Sequence, residues 1–163
     1  MRAKIGAAGA GAAMALALGF PASASAQPAP QAESFTVIVV GNAPQLFIAR
    51  GAINATGTAI PLSGGGNGGG TDQVELPGGT FKLTLHNTSG GGGQPKPPAC
   101  IATFHAAGNS TIFDGTGRFA GIAGSGTFAS HGVFFATRTA HGCSRRGGTA
   151  IDVAEDRGTV TSG

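Results

Sequence analysis

From residue 33 onward, apolar and polar side chains alternate with a period of two. No ten-residue stretch free of Gly or Pro carries the 3.6-residue period of an amphipathic helix. The cleanest alternation is residues 80–86, TFKLTLH. Phe81, Leu83 and Leu85 point one way, and Thr80, Lys82, Thr84 and His86 point the other. This predicts an antiparallel strand with one face in a core. Residues 33–40 (ESFTVIVV), 45–50 (QLFIAR), 53–60 (INATGTAI) and 73–76 (QVEL) also read as strands, being apolar or β-branched and bounded by turn residues. The first of these turns apolar on both faces near its end, which predicts cover on both sides. In the second half, strands are predicted at 100–106, ending in a Gly108-Asn109 turn, and at 110–113. Further strands follow at 124–140 with a break at Gly132, and at 149–154 and 158–161. Residues 149–157 have a helical turn as an alternative, because Asp152, Glu155 and Asp156 are poor strand formers. The glycine-rich stretches 63–70 (SGGGNGGG) and 89–98 (SGGGGQPKPP) are expected to be flexible loops.

Short strands at intervals of about ten residues, separated by Gly-rich turns, mean an all-β sandwich or barrel. A small antiparallel β-barrel is favoured because closure removes unpaired edges. Glycines within strands also suit sharp bends.

The N-terminus follows different rules. Arg2 and Lys4 precede an uncharged Ala/Gly/Leu run from Ile5 to Phe20, and Ala24-Ser25-Ala26 forms an A-x-A site. That is the plan of a secretory signal peptide over residues 1–26, cleaved between Ala26 and Gln27. Its apolar run is shorter than the roughly 20 residues a spanning helix needs. Residue 27 is Gln, not a lipid-attachment Cys. The expectation is a secreted protein, extracellular or periplasmic, with a flexible leader at 27–32, a single domain at 33–163 and no membrane span after cleavage. Removing Arg2 and Lys4 leaves eight of the ten Lys/Arg against seven Asp/Glu, a net charge of about +1. The only adjacent basic pair is Arg145-Arg146, so the clustered positive charge that nucleic acid requires is missing. Trp and Tyr are absent, and nine Phe after the leader supply the aromatic bulk.

Two cysteines, Cys100 and Cys143, in an exported chain predict one disulfide. His141-Gly142-Cys143 suggests a metal ligand cluster, but Cys100 has no ligand beside it, and structural zinc wants four ligands in short paired spacings. No metal or cofactor is expected.

Residues 114–128, DGTGRFAGIAGSGTF, invite comparison with a nucleotide-binding loop. The third glycine, Gly121, falls one position late for G-x-G-x-x-G, and strand rather than helix follows. The expected role is structural: Gly115 and Gly117 in a tight turn with positive φ, and Phe119 in the core. The segment resembles the G-T-G-x-F-x-G-x-x-G stretch of bacterial secreted proteins related to the allene oxide cyclase and dirigent barrels. Residues 49–57 (ARGAINATG), 72–86 (DQVELPGGTFKLTLH) and Cys100 agree with it. The resemblance spans about residues 35–163, with a specific core of 114–128. It implies an eight-stranded antiparallel barrel, often trimeric in the plant members. In plants, one branch cyclises a fatty-acid epoxide and the other steers the coupling of phenolic radicals. No polar residue of those plant pockets is matched here.

Chemistry-bearing residues are sparse. His86 shares the polar face of its strand with Lys82, and His131 and His141 lie too far apart on one strand to ligate one ion. His105 and His131 are the candidate pocket residues. Ser130 and His131 are neighbours on a strand and therefore face opposite ways, so they do not form a nucleophile and its base. No catalytic residue is nominated. The leading expectation is non-catalytic binding of a small apolar ligand or a partner. The alternatives are a cyclase or isomerase acting by pocket shape, and a structural extracellular or envelope component that self-associates as a homo-oligomer.

Overall fold

A computed structural model describes residues 28–66 and 69–162. The expected signal peptide, residues 1–26, and the cleavage position between Ala26 and Gln27 lie outside the described residues. Eight antiparallel strands form one closed sheet: β1 (Gln31–Val40), β2 (Gln45–Gly51), β3 (Ala55–Gly66), β4 (Gly69–Leu76), β5 (Gly79–Gly92), β6 (Ile101–Phe113), β7 (Ala123–Thr139) and β8 (Gly142–Thr161). Each strand pairs with the next in sequence. The ring is sealed by β8 running back along β1, with Gln31 opposite Val160 and Val40 opposite Ile151. Closure gives β1 and β8 a second partner over residues 31–40 and 151–160, while the start of β8, residues 142–150, is paired along β7. The predicted all-β barrel is the fold observed. Among the described residues, no helix is long and apolar enough to cross a membrane.

The period-two pattern sets the inside. Phe35, Val37, Phe47, Val74, Phe81, Leu83 and Ile112 project inward and are buried. Phe35, Phe47, Phe81 and Phe119 form a chain of rings with centroids 5.2 to 5.9 Å apart between neighbours. Such tilted and edge-on contacts suit aromatic quadrupoles. Phe119 enters from a 3-10 turn, Gly117–Phe119, which is tied down by Arg118 N–H donating to Gly78 O at 2.8 Å and Thr116 N–H donating to Thr80 O at 2.7 Å. With buried Ile53, Leu76 and Ile122, this turn plugs one end of the barrel. Gly117 has the expected positive φ of 58°. Gly115 does not. Asp114 takes the left-handed conformation instead, and Gly115 is small because a Cβ there would run into the Phe119 carbonyl.

Several expected boundaries are corrected. β1 begins at Gln31, so the last two residues of the expected flexible leader are strand, held by Val160 and Thr159. Most of the expected loop at 63–70 is the tip of the β3–β4 hairpin: Ser63 faces Thr71, Gly64 faces Gly70 and Gly66 faces Gly69. Likewise Ser89–Gly92 extend β5 opposite Ala107–Phe104, leaving only the remainder of 89–98 outside strands. Glycine costs entropy in a strand, but here each segment has partners for its backbone groups, and that decides the outcome. Gly108-Asn109 is not a turn. It lies inside β6, where a Cβ on Gly108 would strike the His86 carbonyl. β7 passes through Gly132 unbroken, and 149–157 are strand rather than helix, paired with β7 throughout and with β1 from Ile151 onward. The double cover expected for β1 is absent, since Val40 is 50% exposed on the outer wall.

Candidate functional site

The unplugged end of the barrel holds a cavity of about 1100 Å³. It is built where β1, β3, β5 and β7 end and where β2, β4, β6 and β8 begin. Its walls include Val37 and Val39 of β1, Leu85 of β5, Ala102 and Phe104 of β6, and Phe134 of β7. Gly90–Gly93 and Arg145 are at the rim. The volume slightly exceeds the usual range for small-molecule pockets, roughly 300–1,000 Å³. One reason the space exists is composition. Beside Phe104 and Phe134, the upper inward positions carry Ala102, Ala106, Ala154, Gly90 and Gly92, whereas the lower ones carry the packed Phe35, Phe47 and Phe81.

Gly132 illustrates the fit of the upper wall. It pairs with Phe104 across β6–β7, and the Phe104 ring lies so close that any Cβ at 132 would overlap it. The glycine read as a strand break is instead the seat of an aromatic ring.

The cavity is lined by neutral polar side chains, among them Gln45, Asn87 and Ser89, and by two carboxylates. Asp72 of β4 and Asp152 of β8 both line it. Burial pushes the Asp72 carboxyl above its ordinary pKa. Burial also raises Asp152, opposed by a hydrogen bond from Val153 N–H and by the charge of His131. Asp152 Oδ1 is buried and has no hydrogen-bond partner among the described residues. Two residues deeper on the same inward face as Ala154, Asp156 is 5% exposed, and burial raises its pKa against a hydrogen bond with Ser110. At the plugged end, Glu33 is buried. Its Oε2 accepts from Ile53 N–H at 2.6 Å, which fixes the β2–β3 connection, and burial raises its pKa despite that bond.

Of the two histidines nominated from the sequence, His105 is among the residues around the cavity and His131 is not. They are direct partners across β6–β7, and both are exposed, on the outward-facing row. The His105 ring leans over Gly91 at the rim. His131 is outward while Ser130 is buried inward, as strand neighbours must be. His141 sits in the β7–β8 turn. No group of three or more metal-ligating side chains occurs among the described residues. The inward carboxylates Asp72, Asp152 and Asp156 were missed. The signal was available: in a strand, Asp152, Ala154 and Asp156 must share a face. That signal was unreadable while 149–157 had a helical alternative.

Cys100 and Cys143 form the predicted disulfide, with Cα atoms 5.3 Å apart. It fastens the segment before β6 to the start of β8 at the cavity end, where Cys100 O also accepts from Ala136 N–H at 2.8 Å. A cross-link of this kind is compatible with an oxidising compartment.

No protein-family model, curated protein or solved structure matches this chain.

Proposed function

We propose that this is an exported, disulfide-closed barrel that binds a small apolar molecule in its open end, without covalent chemistry. The observation that carries the reading is the cavity itself. A chain with nine Phe after the leader and abundant Val and Ile fills the plugged half of its barrel and leaves about 1100 Å³ at the other end. Filling that volume with inward Leu or Phe would add burial and stability. Leaving it open is what ligand binding requires. Export is supported by the signal-like first 26 residues and by the disulfide.

The test is binding of the fluorescent apolar probe N-phenyl-1-naphthylamine to the purified protein, with fatty alcohols, fatty acids and phenolics as competitors. Ala102→Phe, which fills the cavity wall, is expected to reduce probe affinity by about tenfold while preserving the fold by circular dichroism. Failure of the probe and every competitor to bind refutes the reading.

A second reading is a cyclase or isomerase of the allene oxide cyclase or dirigent kind, working by the shape of the same cavity. It is favoured by one observation: Asp152 is a cavity carboxylate with a raised pKa, a property general acids and bases share. Mass spectrometry of bound ligand separates the two, since binding returns it unchanged and catalysis does not.

A further inference from the structure

The cavity's charges select the kind of head group its occupant can carry. The carboxylates of Asp72 and Asp152 line it, on β4 and β8, which lie across the eight-strand ring from each other. Among its lining residues, Arg145 is the single Lys or Arg. It is exposed at the rim, with Nη2 donating to Gln94 Oε1 at 3.4 Å. The other basic groups with recorded partners are engaged elsewhere. Lys82 pairs with Asp114 on the outer wall, Arg157 lies 3.8 Å from Glu155, and Arg118 stacks on Phe119 at the plugged end. The interior thus carries two carboxylates, and the basic groups nearest them lie outside it: Arg145 at the rim, His105 leaning over the rim, and His131 on the outward row, whose charge opposes the rise in the Asp152 pKa.

Asp152 is the sharper feature. Its Cα partners are Val39 and Gly132, so it is set in an apolar wall beside the ring of Phe104. Its Oδ1 is buried without a hydrogen-bond donor. A buried acceptor without a donor is costly, and a charged one more so. A ligand that brings N–H donors and positive charge to this atom relieves that cost. A ligand ending in a carboxylate adds a third negative group to the same low-dielectric space. An anionic head left at the rim beside Arg145 gains little, because an exposed pair is screened by solvent.

We propose that the molecule bound in the open end is an amphiphile with an apolar tail and a protonated amine head, the amine donating to Asp152 and the tail lying among Val37, Leu85 and Phe134. This rests on the reading of the cavity as a ligand site. It orders three otherwise matched ligands: a long-chain amine binds most tightly, a long-chain alcohol less so, and a long-chain carboxylate least.

Displacement of N-phenyl-1-naphthylamine from the purified protein by dodecylamine, dodecanol and dodecanoate tests this, near pH 7 and below their micelle-forming concentrations. The amine is expected to bind about tenfold or more tightly than the alcohol. Asp152→Asn is expected to bring the amine down to the alcohol's affinity and to leave the alcohol unchanged. If dodecanoate matches dodecylamine, or if Asp152→Asn keeps the amine preference, the proposal is overturned while the ligand site stands. If the probe itself does not bind, both fall. Should Asp152→Asn fail to fold, the ranking of the three ligands on the unaltered protein decides alone.

Discussion

Breaking the Cys100–Cys143 bond is expected to destabilise the barrel by about 4 kcal/mol. The bond joins residues separated by 43 positions. With about 44 residues in the closed loop, the chain-entropy relation gives roughly 13 cal/mol/K, or about 4 kcal/mol at 25 °C. That loop contains all of β6, the 3-10 turn and β7. In the folded barrel those elements are already fixed by pairing to β5 and β8. The cross-link therefore acts chiefly by restricting the unfolded chain. For a domain of this size the loss corresponds to a drop in Tm of about 10–20 °C. Cys100 is buried and Cys143 half-buried, so complete reduction is ensured by unfolding and refolding in the presence of reductant. The paired substitution Cys100→Ala and Cys143→Ala gives an independent reading. It keeps the backbone of Cys100 at its φ of 56°, so any local strain is common to both proteins. Thermal melts followed by circular dichroism, with free thiols counted by mass spectrometry, supply the measurement. A fully reduced protein melting within about 2 °C of the oxidised one would refute the loop-entropy argument.

Gly132→Ala places a methyl against the Phe104 ring and is expected to cost about 1–3 kcal/mol, with Phe104→Ala in the same chain restoring much of the loss; equal melting of the single variant and the unaltered protein contradicts the contact. Burial raises the pKa of Glu33, Asp72, Asp152 and Asp156 in the folded state. The folded form then holds protons more tightly than the unfolded chain, so stability is greatest near the ordinary carboxylate pKa of about 4 and falls as pH rises from there through the folded values. Tm is expected to increase on moving from pH 7 to pH 5, and Asp156→Asn to weaken that trend; a Tm that declines steadily with acidification, with the same slope in the variant, counts against it.

Side chains whose environment is dictated by strand periodicity were legible in the sequence. Phe81, Leu83 and Leu85 point inward because alternate residues in a strand must, and Phe119, the large apolar side chain of the Gly117–Phe119 turn, is buried in the core. Glycines were not legible in the same way. One residue type serves as a turn at Gly117, as a close backbone approach at Gly108 and as a ring seat at Gly132. Which role applies depends on what sits across the sheet, and that is long-range information. The same holds for Ser63–Gly66 and Ser89–Gly92, where local entropy argues for a loop and cross-strand partners impose a strand. The histidines drew attention by their chemistry, yet they lie on the outward row. The inward carboxylates were hidden because Asp and Glu are poor strand formers and weakened the prediction of the very strand that carries them.

The pairing of Gln31 with Val160 makes the first strand of the ring wait for the last. Until β8 is in place, β1 and β7 each present a bare edge, and no smaller circle is available to satisfy them. Contacts between such distant parts of the sequence are slow to find. Completion of the ring therefore waits until β8 has been made. Both tips of the seam, Gln31 and Thr161, lie at the plugged end, on the side opposite the mouth.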